Sequence, residues 1–266
     1  MKYLLYILLT LIFTSCGSTY FYSTLNTSNE YAKKVDNGDF LIETDSLWIA
    51  YCFKGENAPV QITIFNKLNE PLFVDWEHSA LIIDSISYPY TGAEAMLYES
   101  DTLSSQPDYT DAIKNGYMEM SENMSTIPPK TMLSNIPIYL NPDLSKLNKD
   151  MFKKGHMGKK SGEVKNINRA DFDEQSSPLK FKSFLTIYTE QQAAMLFEQD
   201  FYVANQIMTK QIKPTDLLAS FADRGDFFYS IKEDENNTFF SILGGTALVG
   251  FAIIMAGSSD NPSHGE

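Results

Sequence analysis

The chain has 266 residues, 43% hydrophobic, 13% aromatic and 21% charged; this is the balance of a folded protein with room for one large domain or two small ones. A formal net charge of −13 argues against nucleic acid as a partner, because phosphate binding needs a basic face. Eighteen Phe and fifteen Tyr, with many β-branched residues, favour strands over helices.

At the N-terminus, MKYLLYILLTLIFTSC sets Lys2 before an apolar run, residues 3–13, followed by the small Thr14 and Ser15. Eleven helical residues reach only about 16 Å, half a bilayer core. That length suits the apolar region of a secretory signal and is too short for a permanent span. The competing reading, a buried N-terminal helix, has against it the absence of a polar face and of a cap. The stretch Phe13-Thr14-Ser15-Cys16-Gly17 resembles a bacterial lipobox. Phe13 stands where Leu is usual, and the looser lipoboxes of Bacteroidetes lipoproteins are the closer match. The resemblance implies that residues 1–15 are a signal peptide and that Cys16 becomes an acylated mature N-terminus. Two or three acyl chains hold a protein durably on a bilayer. With Cys16 acylated, Cys52 has no partner within the chain, and its apolar setting, LWIAYCF, points to a buried, inert thiol.

Residues 16–38 are rich in Ser, Thr and Asn and read as a tether. Many surface-exposed Bacteroidetes lipoproteins carry an acidic run after the cysteine; its absence here implies, by the same resemblance, a domain facing the periplasm.

From Phe40 the apolar period is two. SLWIAYCF sets Leu47, Ile49, Tyr51 and Phe53 on one face, and PVQITIF alternates Val60, Ile62 and Ile64 with Gln61 and Thr63. After a turn at Asn69-Glu70-Pro71, LFVDW and ALIIDSISY make two more strands. Residues 92–130, with many Ser, Asp and Asn and no sustained period, form a long insertion ending at Pro128-Pro129. Residues 141–170 are expected to be a helix and a basic loop. The helix has Asn141 as cap, Pro142 at its first position, Leu144, Leu147 and Met151 as its apolar stripe, and Gly155 as its stop. LKFKSFLTIYT, DFYVANQIMT and DFFYSIK complete seven or eight strands, with a short helix proposed at EQQAAMLFEQ. The expected architecture is mainly β: an immunoglobulin-like antiparallel β-sandwich over residues 39–232 with a few short helices.

Residues 238–257, TFFSILGGTALVGFAIIMAG, carry no charge across twenty positions. At about 1.5 Å each they match a bilayer core, so a transmembrane helix is expected, followed by a tail at 258–266. Thr246/Gly250 and Ala252/Ala256 place small residues four apart, a spacing suited to close helix packing in a membrane. The other reading is a buried or hairpin-forming segment.

Chemistry-bearing motifs are sparse. His78 follows Asp75 and Glu77, but strict alternation puts the two acids on one strand face and Trp76 with His78 on the other, so three metal ligands do not converge. His264 lies in the tail. GHMGKKSG lacks the spacing of a phosphate loop. Residues 143–169 hold eight Lys/Arg against three acids, which suits either a solvated face or contact with anionic headgroups or a cell-wall polymer. Arg224-Gly225-Asp226 spells an adhesion tripeptide and reads as a chance turn before a strand.

No cofactor, metal or catalytic residue is assigned, and the ligand-binding residues stay open. APVQITIFNKLNEPLFVDWEHSALIIDSISYPY, IPPKTM and DFYVANQI look like uncharacterised Bacteroidetes lipoproteins with a sandwich domain. That resemblance covers residues 40–232 and transfers no functional residue beyond Cys16. The function expected is that of a non-catalytic interaction or scaffolding module in the cell envelope. It would be held by membrane lipid through Cys16 and residues 238–257, in the inner membrane if that second segment spans, with an envelope protein as partner. The alternatives are a glycan- or small-ligand-binding protein or hydrolase, with Trp48, Trp76 and the tyrosines of 88–98 as candidate sugar contacts, and a subunit assembled through its membrane helix.

Overall fold

The structure is a computed structural model that describes residues 17–91 and 123–233. The chain divides into two compact units, Tyr20–Ser230 and a second comprising Met1–Thr19 with Ile231–Glu266. In the second, only residues 17–19 and 231–233 are described.

In chain order the strands are β1 (Ser18–Asn26), β2 (Ala32–Lys34), β3 (Phe40–Glu43), β4 (Leu47–Cys52), β5 (Gly55–Glu56), β6 (Gln61–Asn66), β7 (Leu72–Ile83) and β8 (Ile86–Pro89). They continue with β9 (Met124–Ile127), β10 (Met132–Asn135), β11 (Lys153–Gly158), β12 (Val164–Asp171), β13 (Lys180–Thr189), β14 (Ala194–Thr209) and β15 (Phe227–Glu233). One four-residue helix, α1 (Ala219–Ala222), precedes β15. The fold is mainly β. A large sheet runs β5-β15-β1-β14-β13-β7-β8, with β9 on β7 and the β11–β12 hairpin on β14; a smaller one runs β10-β6-β4-β3-β2.

Alternation explains why the sheets share a core. Leu47, Ile49 and Tyr51 of β4 are fully buried, as are Ile62 and Ile64 of β6, while the residues between them are half-exposed. Facing them from the large sheet, Phe181 and Phe201 pack with Phe40 and Phe53, at ring centroid distances from 4.9 Å for Phe53–Phe201 to 6.1 Å for Phe40–Phe53. Each buried aromatic of this kind contributes about 1.5–3 kcal/mol by leaving water. Three hydroxyls inside this core form a chain: Tyr90 Oη donates to Ser183 Oγ at 2.8 Å, and Ser183 Oγ donates to Tyr51 Oη at 3.0 Å.

A second, smaller core of Tyr22, Met157, Ile167, Ile207, Ile212, Leu217 and Phe227 forms beside the hairpin. One extra residue makes it possible. Thr24 pairs with Asn205 but Leu25 pairs with Val203, so Ala204 bulges out of β14. The bulge reverses the phase of the strand. Phe201 and Val203 feed the main core, Ile207 the second, and Gln206 turns back to donate to the Leu144 carbonyl at 3.3 Å. Beyond the bulge, β14 exchanges its neighbour β13, paired at 194–202, for β12, paired at 205–208.

Several expectations are corrected. Within the 16–38 tether, residues 18–26 are a sheet strand whose Tyr22 and Leu25 are fully buried. Ser and Thr made β1 look solvated, yet they alternate with apolar residues that meet two different cores. The helix over 141–155 is two 3₁₀ turns, Leu144–Lys146 and Lys149–Met151, followed directly by β11; the caps are Asp143 and Asn148, not Asn141. The basic loop after it is the β11–β12 hairpin. The short helix at EQQAAMLFEQ is a turn running into β14. Of the insertion 92–130, residues 124–127 form β9 on β7, and 92–122 lie outside the described residues. So do Cys16, the signal segment 1–15, the membrane segment 238–257 and the tail 258–266. Among the described residues no helix is long and apolar enough to cross a membrane.

Candidate functional site

A recess of about 280 Å³ opens where β1, β11, β12, β14, α1 and the start of β15 meet. Its apolar wall is Met157, Ile167, Ile207 and Phe221, an extension of the second core. Arg169, Asn205 and Arg224 supply its polar groups. Each arginine is held by a carboxylate two residues along the chain. Arg169 Nε and Nη2 donate to Asp171 Oδ1 at 2.9 and 2.7 Å, and Arg224 Nε donates to Asp226 Oδ1 at 2.8 Å. Asn205 Nδ2 reaches the same Asp171 oxygen at 2.7 Å. The Arg169 hydrogen bonds hold the Asp171 carboxyl below the usual carboxylate range, and the Asp226 hydrogen bond raises the Arg224 guanidinium above its ordinary value. Arg224 is held in place by the buried Asp226, which lowers the ordering cost of recognition, while Arg169 and Asp171 form a more exposed pair. His156 is on the rim; pairing sets it opposite Asn166, on the other face of the hairpin from the Gly155–Ile167 pair.

The Arg-Gly-Asp tripeptide belongs to this framework. Asp226 is fully buried and receives Lys34 as well as Arg224, and the Lys34 ammonium lies 5.3 Å from the Phe40 ring centre. Arg224 and Asp226 bind one another, which leaves the tripeptide closed to a receptor. Gly225 sits close against Asp39: a Cβ there would overlap the Asp39 carboxylate and lie 3.1 Å from its backbone N, so Asp39 would have to move.

At Asp75 and His78 strict alternation fails. Asp75 pairs with Thr186 and Ala80 with Phe184, so residues 76–79 stand opposite Leu185 alone. The loop-out buries Asp75, Trp76 and Ser79, exposes Glu77 and His78, and brings Asp75 Oδ2 to 2.8 Å from His78 Nδ1. Asp75 Oδ1 accepts from the Glu77 and His78 backbone at 3.1 and 3.0 Å. Ser79 Oγ donates to the Asp75 carbonyl and accepts from Thr186 N at 2.9 Å, and both bonds hold the bulge shut. The serine is buried against backbone and is not presented as a nucleophile. Among the described residues no three His, Cys, Asp or Glu side chains are grouped to hold a metal.

The remaining candidates separate. Cys52 is half-exposed, and burial pushes its thiol up to about 11. Trp76 packs on Tyr90 and donates to Ser125 Oγ at 2.8 Å, as a core residue would. Trp48 stacks on Phe65 at 5.7 Å on the outer face of the small sheet. Tyr88 is half-buried against the main core, while Tyr98 and His264 lie outside the described residues. Sequence reasoning missed Arg169 and Asn205. The signal for Arg169 was the odd-position run Ile167, Arg169, Asp171, legible only if residues 164–171 are first taken as a strand; Asn205, on β14, carried no comparable signal. Comparisons with family models, characterised proteins and solved structures return no match for this chain.

Proposed function

We propose that this protein is an envelope lipoprotein, anchored by lipid on Cys16 and by residues 238–257, whose β-body is a non-catalytic interaction module facing the periplasm. The observation that carries the reading is the recess beside the hairpin: an apolar wall edged by two guanidinium groups pinned by carboxylates, suited to an apolar segment bearing an acidic group. An immunoglobulin-like assignment belongs to the same proposal. Two largely antiparallel sheets sharing the main core support it, although β5 pairs in parallel with β15 and the meander β2-β3-β4-β6 is not the usual connectivity of that fold.

A photo-crosslinking residue at Phe221, in cells, is expected to give a reproducible adduct with an envelope protein that Arg169→Ala weakens. Failure to capture any reproducible partner would overturn the interaction reading. Radiolabelled lipid is expected on the wild type and absent from Cys16→Ala. Cys16→Ala is expected to stay in the membrane fraction if residues 238–257 span it.

Glycan binding is favoured by a separate observation. Trp48, Phe65 and Met132 are cross-strand neighbours on the outer face of the small sheet, and Met132 is 62% exposed. Such a flat row suits the apolar face of a sugar ring. Glycan-array binding abolished by Trp48→Ala, with Arg169→Ala unaffected, would favour it.

A further inference from the structure

The two connections by which the chain leaves Tyr20–Ser230 emerge at one end of the large sheet. β1 and β15 are neighbours there. Leu25 N donates to the Asp226 carbonyl at 2.8 Å, while earlier in β1 the Tyr22 ring lies 6.2 Å from that of Tyr229. The strands are therefore antiparallel, and Tyr20 and Ser230 share an end. Tyr20 pairs with Thr209, so the end of β14 is there too.

The same end carries a lysine-rich rim. β12 runs antiparallel to β14, with Asn168 opposite Met208, so its earlier residues and the hairpin tip extend past Thr209. The tip closes with Lys159 N donating to Glu163 O, and Lys160 N donating to Asp216 O ties it to the segment after β14. Tyr22 Oη pins that segment from below by donating to the Ile212 carbonyl at 2.8 Å. Lys159, Lys165 and Lys213 lie around Glu163 and Asp216, Lys160 is on the same hairpin tip, and Lys210, just past β14, and Glu56, on β5, fall at the same end of the sheet. Glu163 and Asp216 are engaged by Lys159 and Lys165, and Lys160 and Lys213 are exposed. Val164, 63% exposed, stands among them, with Leu218 nearby at Gly158. In a chain of net charge −13 this is a local reversal of sign, with an apolar side chain at its centre.

We propose that this end of the β-body is a bilayer-contact face, binding anionic lipid headgroups through Lys160 and Lys213 and seating Val164 at the headgroup boundary. The inference rests on the anchoring reading above, which sends both apolar segments from this end. β1 begins at Ser18, two residues beyond Cys16, so a lipid there has almost no spacer to hold the rim away from the headgroups. Lysines facing an anionic surface attract it within about a Debye length, each contributing a factor of about five to the docked-to-free ratio.

The test uses full-length lipidated protein, with Cys52→Ser, in vesicles of phosphatidylethanolamine with or without phosphatidylglycerol. A solvatochromic label is placed at Val164→Cys or, as a control beyond the opposite end of β12, at Gln175→Cys. Quenching by headgroup-labelled lipid is expected at 164 and not at 175. It should be strongest with phosphatidylglycerol and fall at high salt and in Lys160→Glu/Lys213→Glu. Vesicle flotation with equal quenching at the two positions, or with quenching at 164 indifferent to charge reversal, overturns the contact face alone. Failure to float overturns the anchoring reading and this inference with it.

Discussion

Asp226 shows what a single buried charge costs and returns. Its carboxylate has no solvent exposure and faces Arg224 and Lys34, which are each about one-third exposed. Removing the carboxylate leaves two partly desolvated cations facing one another. Asp226→Ala is therefore expected to cost about 3–5 kcal/mol in urea unfolding; a loss under about 1 kcal/mol would show that water replaces the carboxylate freely. Tyrosines carry the pH dependence. Burial raises the phenols of Tyr51, Tyr90 and Tyr22 above the ordinary value of 10.0. The folded chain then keeps protons that the unfolded chain releases, so stability is intact below about pH 10 and falls as pH rises further. Each such tyrosine steepens the loss by about 1.4 kcal/mol per pH unit. Tyrosinate absorbance should rise in two stages, the later one coinciding with unfolding. A single smooth titration with no change in urea midpoint would contradict this.

Among the elements, β14 decides most, because Ala204 lets one strand serve two cores. Deleting Ala204 should turn Ile207 away from Tyr22 and Leu217 and expel Gln206 from the main core. A loss of about 2–5 kcal/mol is expected, comparable to removing a large buried side chain. Ala204→Ser, which keeps the residue count, should change stability little; equal losses in both variants would refute the phase account. The same irregularities explain what the sequence could and could not disclose. β4 and β6 were legible because each faces one core with unbroken alternation. β1 was not, since its two faces meet different cores and its Ser and Thr imitate a linker. At residues 141–155 the capping residues are real, but they close only 3₁₀ turns before pairing with β12 takes over. The Asp75–His78 contact was invisible to alternation, because the bulge that creates it depends on Ser79 binding across to Thr186. The recess was hidden for the same reason: its polar residues come from strands separated by dozens of positions and meet only after β14 changes neighbours.

For the whole molecule, the decisive fact is that the first strand sits inside the large sheet, between β15 and β14. Positions 20–26 find their partners at 202–209, so the sheet closes only when the two ends of the body meet, a slow, non-local step. A tether at 16–38 would be dispensable. A strand is not: without it β14 and β15 lose their shared neighbour, Tyr22 leaves the second core and Leu25 the main one. A chain lacking residues 1–31 is therefore expected to lose its near-ultraviolet circular dichroism and to aggregate through the bared strand edges. A synthetic peptide of residues 18–26, added during refolding, should restore part of the signal by strand addition. A truncated chain that folds unaided, with an unchanged urea midpoint, would return these residues to the role of a linker. Recovery by the peptide but not by one with Tyr22→Ser and Leu25→Ser would show that β1 acts through the two cores it joins, beyond the backbone hydrogen bonds any strand could supply.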